Sequence, residues 1–415
     1  MTRIAGKIGP LPWMSAPETR AVMDALTKEG GGARFVGGCV RNTLLGESVE
    51  DIDIATTHRP EEVIRLLEAA GLKAVPTGID HGTVTAVSNG KPHEVTTLRK
   101  DVETDGRRAV VAFTDDWTED AQRRDFTMNA LYLDVEGNLY DPVGGMADAK
   151  VRRVRFIGDP RARIREDYLR ILRLFRFHAW YGTGEPDREG LKAAADLRKG
   201  LRKLSGERVQ KELLKLLSAE NPVPALRTMA AAGVLAEVLP EAVHIGRLAK
   251  LAAIETGQLF TCDPVLRLGA LLDSSEAAAD VAGRLRMSNA DRERLIAMHA
   301  DQSKIVCYLS AREVRRTLYR IGRRTFEDRV MLAWADDPKE TNAVQWRALL
   351  AMAASWRKPK FQLTGEEVMA AGVPKGEEVG RVMREVEEWW VDSDFTDDRF
   401  SIIERLKAVV QATVL

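Results

Sequence analysis

Cysteine is nearly absent from this chain: Cys39, Cys262 and Cys307 are the only three in 415 residues. They are odd in number and widely spaced, which excludes a disulfide-built scaffold and a cysteine-rich zinc site and fits a reducing, cytoplasmic compartment. Histidine is also scarce, with six scattered residues and no His-Asp dipeptide. No apolar run approaches the roughly 20 residues that a membrane helix needs. The opening Met1-Thr-Arg-Ile-Ala-Gly-Lys-Ile has no long apolar core after its charges, so no signal peptide is expected. Net charge is missing as well: 62 Lys and Arg balance 62 Asp and Glu. That balance argues against a protein that coats long nucleic acid nonspecifically, and neither DNA nor a membrane is expected as a partner.

What remains is the composition of an ordinary globular protein, 45% hydrophobic and 30% charged. The chain is too long for one small core, so several domains or subdomains are expected. Charge is separated along it: residues 150–215 carry 19 Lys and Arg against 9 Asp and Glu. A local basic track of that kind suits a polyanion held in one place.

The first 150 residues alternate strand and helix signals. Helices are predicted over 18–28 and from Pro60 to Gly71, with proline in the first turn. Asn89-Gly90 reads as a tight hairpin turn between strands 83–87 and 92–97. Another hairpin is predicted around Glu136-Gly137-Asn138. From Arg163 onward strand signals nearly vanish and helical periodicity takes over, with helices expected over 164–180, 209–217, 225–238 and 379–390. The fold class is therefore α+β: a small mixed sheet with helices, followed by an all-α remainder.

The chemistry centres on Phe35-Val-Gly-Gly-Cys-Val-Arg-Asn42 and Glu50-Asp-Ile-Asp-Ile-Ala-Thr56. Gly37 and Gly38, between a strand and a helix, would let backbone N–H groups approach a phosphate, and Arg41 near the helix start would add charge. Alone, such a pair is usually an ordinary turn. The spacing predicts a strand over 51–55, on which Asp51 and Asp53 face one way and Ile52 and Ile54 the other. Two ionised carboxylates that close repel unless a cation lies between them, and the hard cation that also binds substrate phosphates is Mg2+. Glu94, on a strand expected beside this one, is the candidate third acid. Such a cage would serve two-metal phosphoryl transfer.

Two further stretches carry charge in suggestive order. In Arg123-Arg-Asp-Phe-Thr-Met-Asn-Ala130, the arginines suit phosphates, Asp125 a ribose hydroxyl, and Asn129 the sugar or a phosphate. In Asp159-Pro-Arg-Ala-Arg-Ile-Arg-Glu-Asp-Tyr-Leu-Arg170, helical spacing puts Glu166 and Asp167 near Arg170, and Arg173 and Arg176 continue the stripe. The bland reading is an exposed helix laced by salt bridges. The sharper reading is recognition of a base by protein: aspartate acceptors and arginine donors imitate a complementary edge, and one such pair suits both cytosine and adenine. Near the other end, Arg312, Arg316, Arg320 and Arg323 fall on one helical face, either solvated or gripping RNA phosphates.

These segments together, GGCVRN, LLG, DIDIAT, HGTVT, EVTTLR, RRDFTMNA, DPVGGMAD and DPRARIREDYLRILRLFRF, resemble the class II tRNA nucleotidyltransferase and bacterial poly(A) polymerase superfamily over residues 30–220. The stretch from Phe361 to Gly380 is similar to the C-terminal region of CCA-adding members. The resemblance implies a catalytic head (1–148), a neck with a base-selecting helix (149–220), a helical body (221–300) and a tRNA-contacting tail (301–415). It implies Asp51 and Asp53 as metal ligands with Glu94 as third acid, and Gly37, Gly38 and Arg41 around a triphosphate. Arg124, Asp125 and Asn129 would then meet sugar and phosphates, and Glu166, Asp167 and Arg170 would select CTP or ATP without a template. The substrates implied are a tRNA acceptor end, CTP and ATP. Residues 99–108 look like the family's flexible loop, which favours complete CCA addition over CC addition alone. Acidic Glu47-Ser-Val-Glu50 favours it over poly(A) synthesis, since poly(A) polymerases are basic there. Asn42 departs from the family, which often has aspartate at that place.

Overall fold

The structure is a computed structural model. It describes residues 3–9, 11–30, 32–105, 108–300 and 303–414, with the side chains of 101–105, 108–111, 413 and 414 left aside. The chain divides into two compact units, Met1–Ala242 and Val243–Leu415.

The first unit is built on an eight-stranded sheet. Its strands are β1 (Ile4–Lys7), β2 (Ala33–Val36), β3 (Asp53–Thr56), β4 (Lys73–Gly78), β5 (Thr83–Ser88), β6 (Lys91–Thr97), β9 (Tyr132–Leu133) and β10 (Asn138–Tyr140), in the order β1-β10-β9-β2-β3-β6-β5-β4. The pairing of β3 with β6 is parallel, and the other pairings are antiparallel. Two more strands, β7 (Arg99–Asp105) and β8 (Arg108–Phe113), form a separate antiparallel hairpin. The segment read as a flexible loop is therefore a β-ribbon, with Gly106 and Arg107 outside the described residues.

Local chemistry explains these elements. Asn89 and Gly90 both have positive φ, 48° and 77°, the signature of the two-residue turn whose twist matches a hairpin. Proline opens the Pro17–Thr27 and Pro60–Ala69 helices, where its missing N–H costs nothing. Those helices bury Met23, Leu26, Val63 and Leu67 against Phe35, Ile54, Val84, Val95 and Leu133 on one sheet face. Alternation along β2 and β3 sends Val36 and Ala55 to the opposite face, with Tyr132, Leu98 and Ala121.

Four expectations need correction. The strand predicted over 51–55 begins at Asp53, so Asp51 lies before it. Pairing ends there because Asp53 faces Val36, after which the partner chain leaves the sheet at Gly37. The helix predicted over 164–180 is two helices, Pro160–Glu166 and Leu169–Tyr181, interrupted at Asp167 with extended dihedrals of −154° and 109°. The helix predicted over 225–238 breaks at Gly233, giving Val223–Ala231 and Val234–Val238. The basic stripe of 312, 316, 320 and 323 does not lie on one helix: Gly322, with φ of 78°, separates Ala311–Ile321 from Arg323–Asp336.

Among its described residues the second unit is built of helices and has no strand. Near the end of the chain, Val368, Val382, Val386, Trp390, Ile402 and Leu406 form a core, with Trp389 packed against it and Trp356 in ring contact with Phe395. These tryptophans are packing residues.

Candidate active site

The site begins at the turn after β2. Gly37 has φ of 72° and ψ of −121°, a conformation that only glycine adopts without strain. A Cβ there would face Arg124 Nη1 at 3.8 Å and Asp53 Oδ2 at 3.9 Å. The bare backbone thus stands beside a carboxylate and a guanidinium. The helix that follows, Gly38–Leu45, starts at the second glycine and points its N-terminus into the same place.

Asp53 opens β3, and its register partner on parallel β6 is Glu94. Paired positions share a sheet face, so the two carboxylates are neighbours. Burial raises the Asp53 carboxyl, Glu94 raises it further, Arg124 opposes, and Asp51 adds repulsion; the result is a pKa of about 6. Asp51 and Glu94 are themselves exposed. Among the described residues, no three His, Cys, Asp or Glu side chains are gathered in a metal-holding arrangement. The donor set nevertheless fits a hard divalent cation: it is all carboxylate, and its innermost member is destabilised by negative neighbours.

A cleft of about 530 Å³ opens from this corner. It is lined by Gly37, Gly38, Arg41, Asp53, Arg123, Arg124, Asp125, Asn129, Asp167, Leu169, Arg170, Arg173, Phe177 and Arg208. Most of the sequence candidates are therefore in one place. Glu166 and Arg176 are not in the lining, and neither are Asp51 and Glu94 at the corner's exposed edge.

Hydrogen bonds and an ion pair fix the side chains of the cleft. Arg41 is buried; it donates to Asn129 Oδ1 at 2.6 Å and to the Tyr181 hydroxyl at 2.8 Å, and its guanidinium lies 3.9 Å from the Tyr181 ring centre. Asn42 accepts from Arg41 at 2.8 Å and donates to the Ser48 carbonyl at 2.7 Å. An amide does both, whereas a carboxylate could not donate, so the departure at Asn42 has a structural use here. Asp125 accepts from Arg173 Nε at 2.8 Å, Asn129 at 3.0 Å and the Phe126 N–H at 2.8 Å. Burial works against its charge, but Arg173 and these donors outweigh it and hold the carboxyl well below the usual range.

The base-selecting candidates are arranged differently from a simple helix. Asp167 does not pair with Arg170. One of its oxygens accepts from the Leu169 N–H at 3.1 Å, and the other from Arg208 at 2.7 Å. Arg170 donates to Glu166 and to the Arg163 carbonyl at 2.8 Å. Glu166 thus braces Arg170, and Arg208 braces Asp167. Arg176 is bound to Glu212 at 2.6 Å and lies over Phe177. Sequence reasoning missed Arg208 and Tyr181, whose partners are distant in the chain, and Arg163, which joins nearby Glu166 to the distant Arg123 and Arg124 carbonyls.

In the second unit, two of the four arginines of the predicted basic face are ion-paired and a third is held by a backbone carbonyl. Arg316 pairs with Asp392 at 2.9 Å, Arg312 donates to the Asp392 carbonyl, and Arg323 pairs with Glu327 at 2.7 Å, while Arg320 is exposed.

Residues 33–155 match the family described as Poly A polymerase head domain. Residues 185–245 match that described as a probable RNA and SrmB-binding site of polymerase A. With the sheet and the cleft, these define a nucleotidyltransferase, an enzyme class that is metal-dependent in general. The chain is 31% identical to the mitochondrial CCA tRNA nucleotidyltransferase 1 of Mus musculus, over 94% of this chain and 89% of that protein. It is 32% identical to the CCA-adding enzyme of Levilactobacillus brevis, over 89% of this chain and 91% of that one. The crystal structure of the Bacillus stearothermophilus CCA-adding enzyme in complex with CTP superposes with a TM-score of 0.81 at 26% identity, covering 95% of this chain and 98% of that one. The chain belongs to the CCA tRNA nucleotidyltransferase family.

Proposed function

We propose that this protein adds C, C and A to the 3′ end of tRNA from CTP and ATP, releasing pyrophosphate and using its own side chains in place of a template. The observation that carries the reading is the single cleft. It joins the Gly37 turn and Asp53 at one end to Asp167 and Arg170 at the other, with Arg124, Asp125 and Asn129 between. That length of polar wall suits a nucleoside triphosphate, with phosphates by Gly37, Gly38 and Arg124 and the base by Asp167 and Arg170. Arg173 fixes Asp125, and Asp125 and Asn129, which both line the cleft, are assigned to the ribose.

The metal we assign is Mg2+, held by Asp51 and Asp53 with Glu94 as third acid. When bound, it would lower the pKa of the tRNA terminal hydroxyl and neutralise charge on the triphosphate. Asp53 supplies the innermost carboxylate, and Arg124 balances the charge around it. We assign 1–148 to the catalytic head, 149–220 to the neck, 221–300 to the body and 301–415 to the tail. In the tail we assign tRNA contacts to Arg320 before Arg312, Arg316 or Arg323, whose charges already have acidic or carbonyl partners. Three free cysteines support the cytoplasm as the compartment. Among the described residues, no helix is long and apolar enough to cross a membrane.

The test is incubation with tRNA lacking its 3′ CCA, supplying labelled CTP and ATP separately and together. The reading requires two C residues from CTP alone and one further A when ATP is added. Addition of C without A would assign the chain to CC adders. A long homopolymer from ATP alone would assign it to poly(A) synthesis.

A further inference from the structure

The cleft's phosphate end depends on a side chain that does not itself line it. Asp120 lies in the Trp117–Gln122 helix with its side chain 1% exposed. Each carboxylate oxygen is used. Oδ1 accepts from Arg123 Nε at 2.8 Å and from the Arg99 backbone N–H at 3.3 Å. Oδ2 accepts from Arg124 Nε at 3.2 Å, Arg124 Nη2 at 3.0 Å and the Tyr132 hydroxyl at 2.8 Å. Arg124 therefore spends two of its donors on Asp120 and turns Nη1 toward Gly37 and Asp53. Arg123, held by the other oxygen, also lines the cleft.

The same helix grips the root of the β7–β8 ribbon. Glu119, next to Asp120, accepts from Thr114 Oγ1 at 2.5 Å and Lys100 Nζ at 3.3 Å. Arg99, whose N–H meets Asp120, is the first residue of β7. One short helix thus joins the ribbon's base to two cleft arginines. Despite burial, the three cationic and hydroxyl donors keep the Asp120 carboxyl ionised, at a pKa of about 2.

We propose that Asp120 is a positioning residue for the triphosphate: it fixes the reach of Arg124 and Arg123 into the cleft and ties that reach to the seat of the β7–β8 ribbon. The inference rests on the cleft being the nucleotide site. Because the triphosphate is common to both substrates, CTP and ATP must be affected equally. Charged hydrogen bonds of this kind set the scale, about tenfold or more in affinity.

The test uses the full chain with tRNA lacking its 3′ CCA. For Asp120→Asn, KM for CTP and for ATP should each rise about tenfold, with their ratio unchanged and kcat much less affected. Inorganic tripolyphosphate should weaken in parallel as a competitive inhibitor, while tRNA affinity stays at the wild-type value. Tyr132→Phe, which removes one donor and keeps the ring, should raise both KM values by about twofold to threefold, and it decides the matter if Asp120→Asn fails to fold. Unchanged KM in an active variant, or a change confined to one nucleotide, would overturn the positioning role and leave the activity itself standing. A wild-type chain that incorporates neither nucleotide would instead remove the reading on which the inference rests.

Discussion

Asp53 concentrates the chemistry of the head in one carboxyl group. It is partly buried, sits across from Glu94, and has its pKa pushed up to about 6. A carboxyl whose folded pKa exceeds its unfolded value stabilises the fold below the unfolded pKa. That contribution is lost as pH rises from about 4 through about 6. In chelator at pH 8, Asp53→Asn should therefore be more stable than wild type by about 1 kcal/mol, after allowance for solvent screening. The gap should close at pH 4, as thermal unfolding at both pH values will report; a less stable variant at pH 8 would contradict the electrostatic account. Asp53→Ala should lower nucleotide incorporation by about a thousandfold or more and leave tRNA binding largely intact. A variant that kept full activity would remove Asp53 from the metal site. At this scale much was legible in the sequence. Asp53, Glu94, Arg124, Asp125, Asn129 and Arg170 were marked by residue type and spacing. Arg208 and Asp120 were not, because what defines them is a partner, and Arg208 meets Asp167 41 positions away in the chain.

Among the elements, the break between Glu166 and Leu169 matters most. The apolar period of Ile164, Leu172 and Phe175 runs on across it, so periodicity alone predicts one helix. The break comes from Asp167, whose side chain bonds the Leu169 N–H and competes with the helical backbone. The kink turns Asp167 away from Arg170 and lets each be braced separately. The strand boundary at Asp53 was equally hidden, since Asp51-Ile-Asp-Ile54 alternates on both sides of it. Two outcomes belong here. Shortening the β7–β8 ribbon should leave C incorporation and abolish A incorporation, read by product length on a gel; loss of both alike would assign the ribbon a general role. Gly145→Ala should destabilise the first unit by about 3 kcal/mol, because the added Cβ would lie 2.1 Å from the Thr127 carbonyl oxygen, a backbone atom. Denaturant unfolding measures this, and an unchanged midpoint would mean that the Gly145 backbone shifts freely.

For the whole molecule, zero net charge conceals a division of labour. The basic stretch of residues 150–215 was visible in the sequence, and several of its arginines face the cleft. The arginines near 312–324 looked equivalent in sequence, yet acidic partners from elsewhere in the chain, Asp392, Asp394 and Asp263, meet several of them. If the tail grips tRNA phosphates through unpaired charge, Arg320→Ala should reduce the salt slope of tRNA affinity by about 1, and Arg316→Ala by less. Equal slopes for both variants and wild type would favour a solvated face. The central claim is one reaction, and the nucleotide-resolved incorporation assay tests that most directly. With tRNA lacking its 3′ end, the account predicts two C residues from CTP, then a single A, then arrest; an ATP-only homopolymer, or no incorporation by the unmodified chain, would contradict it.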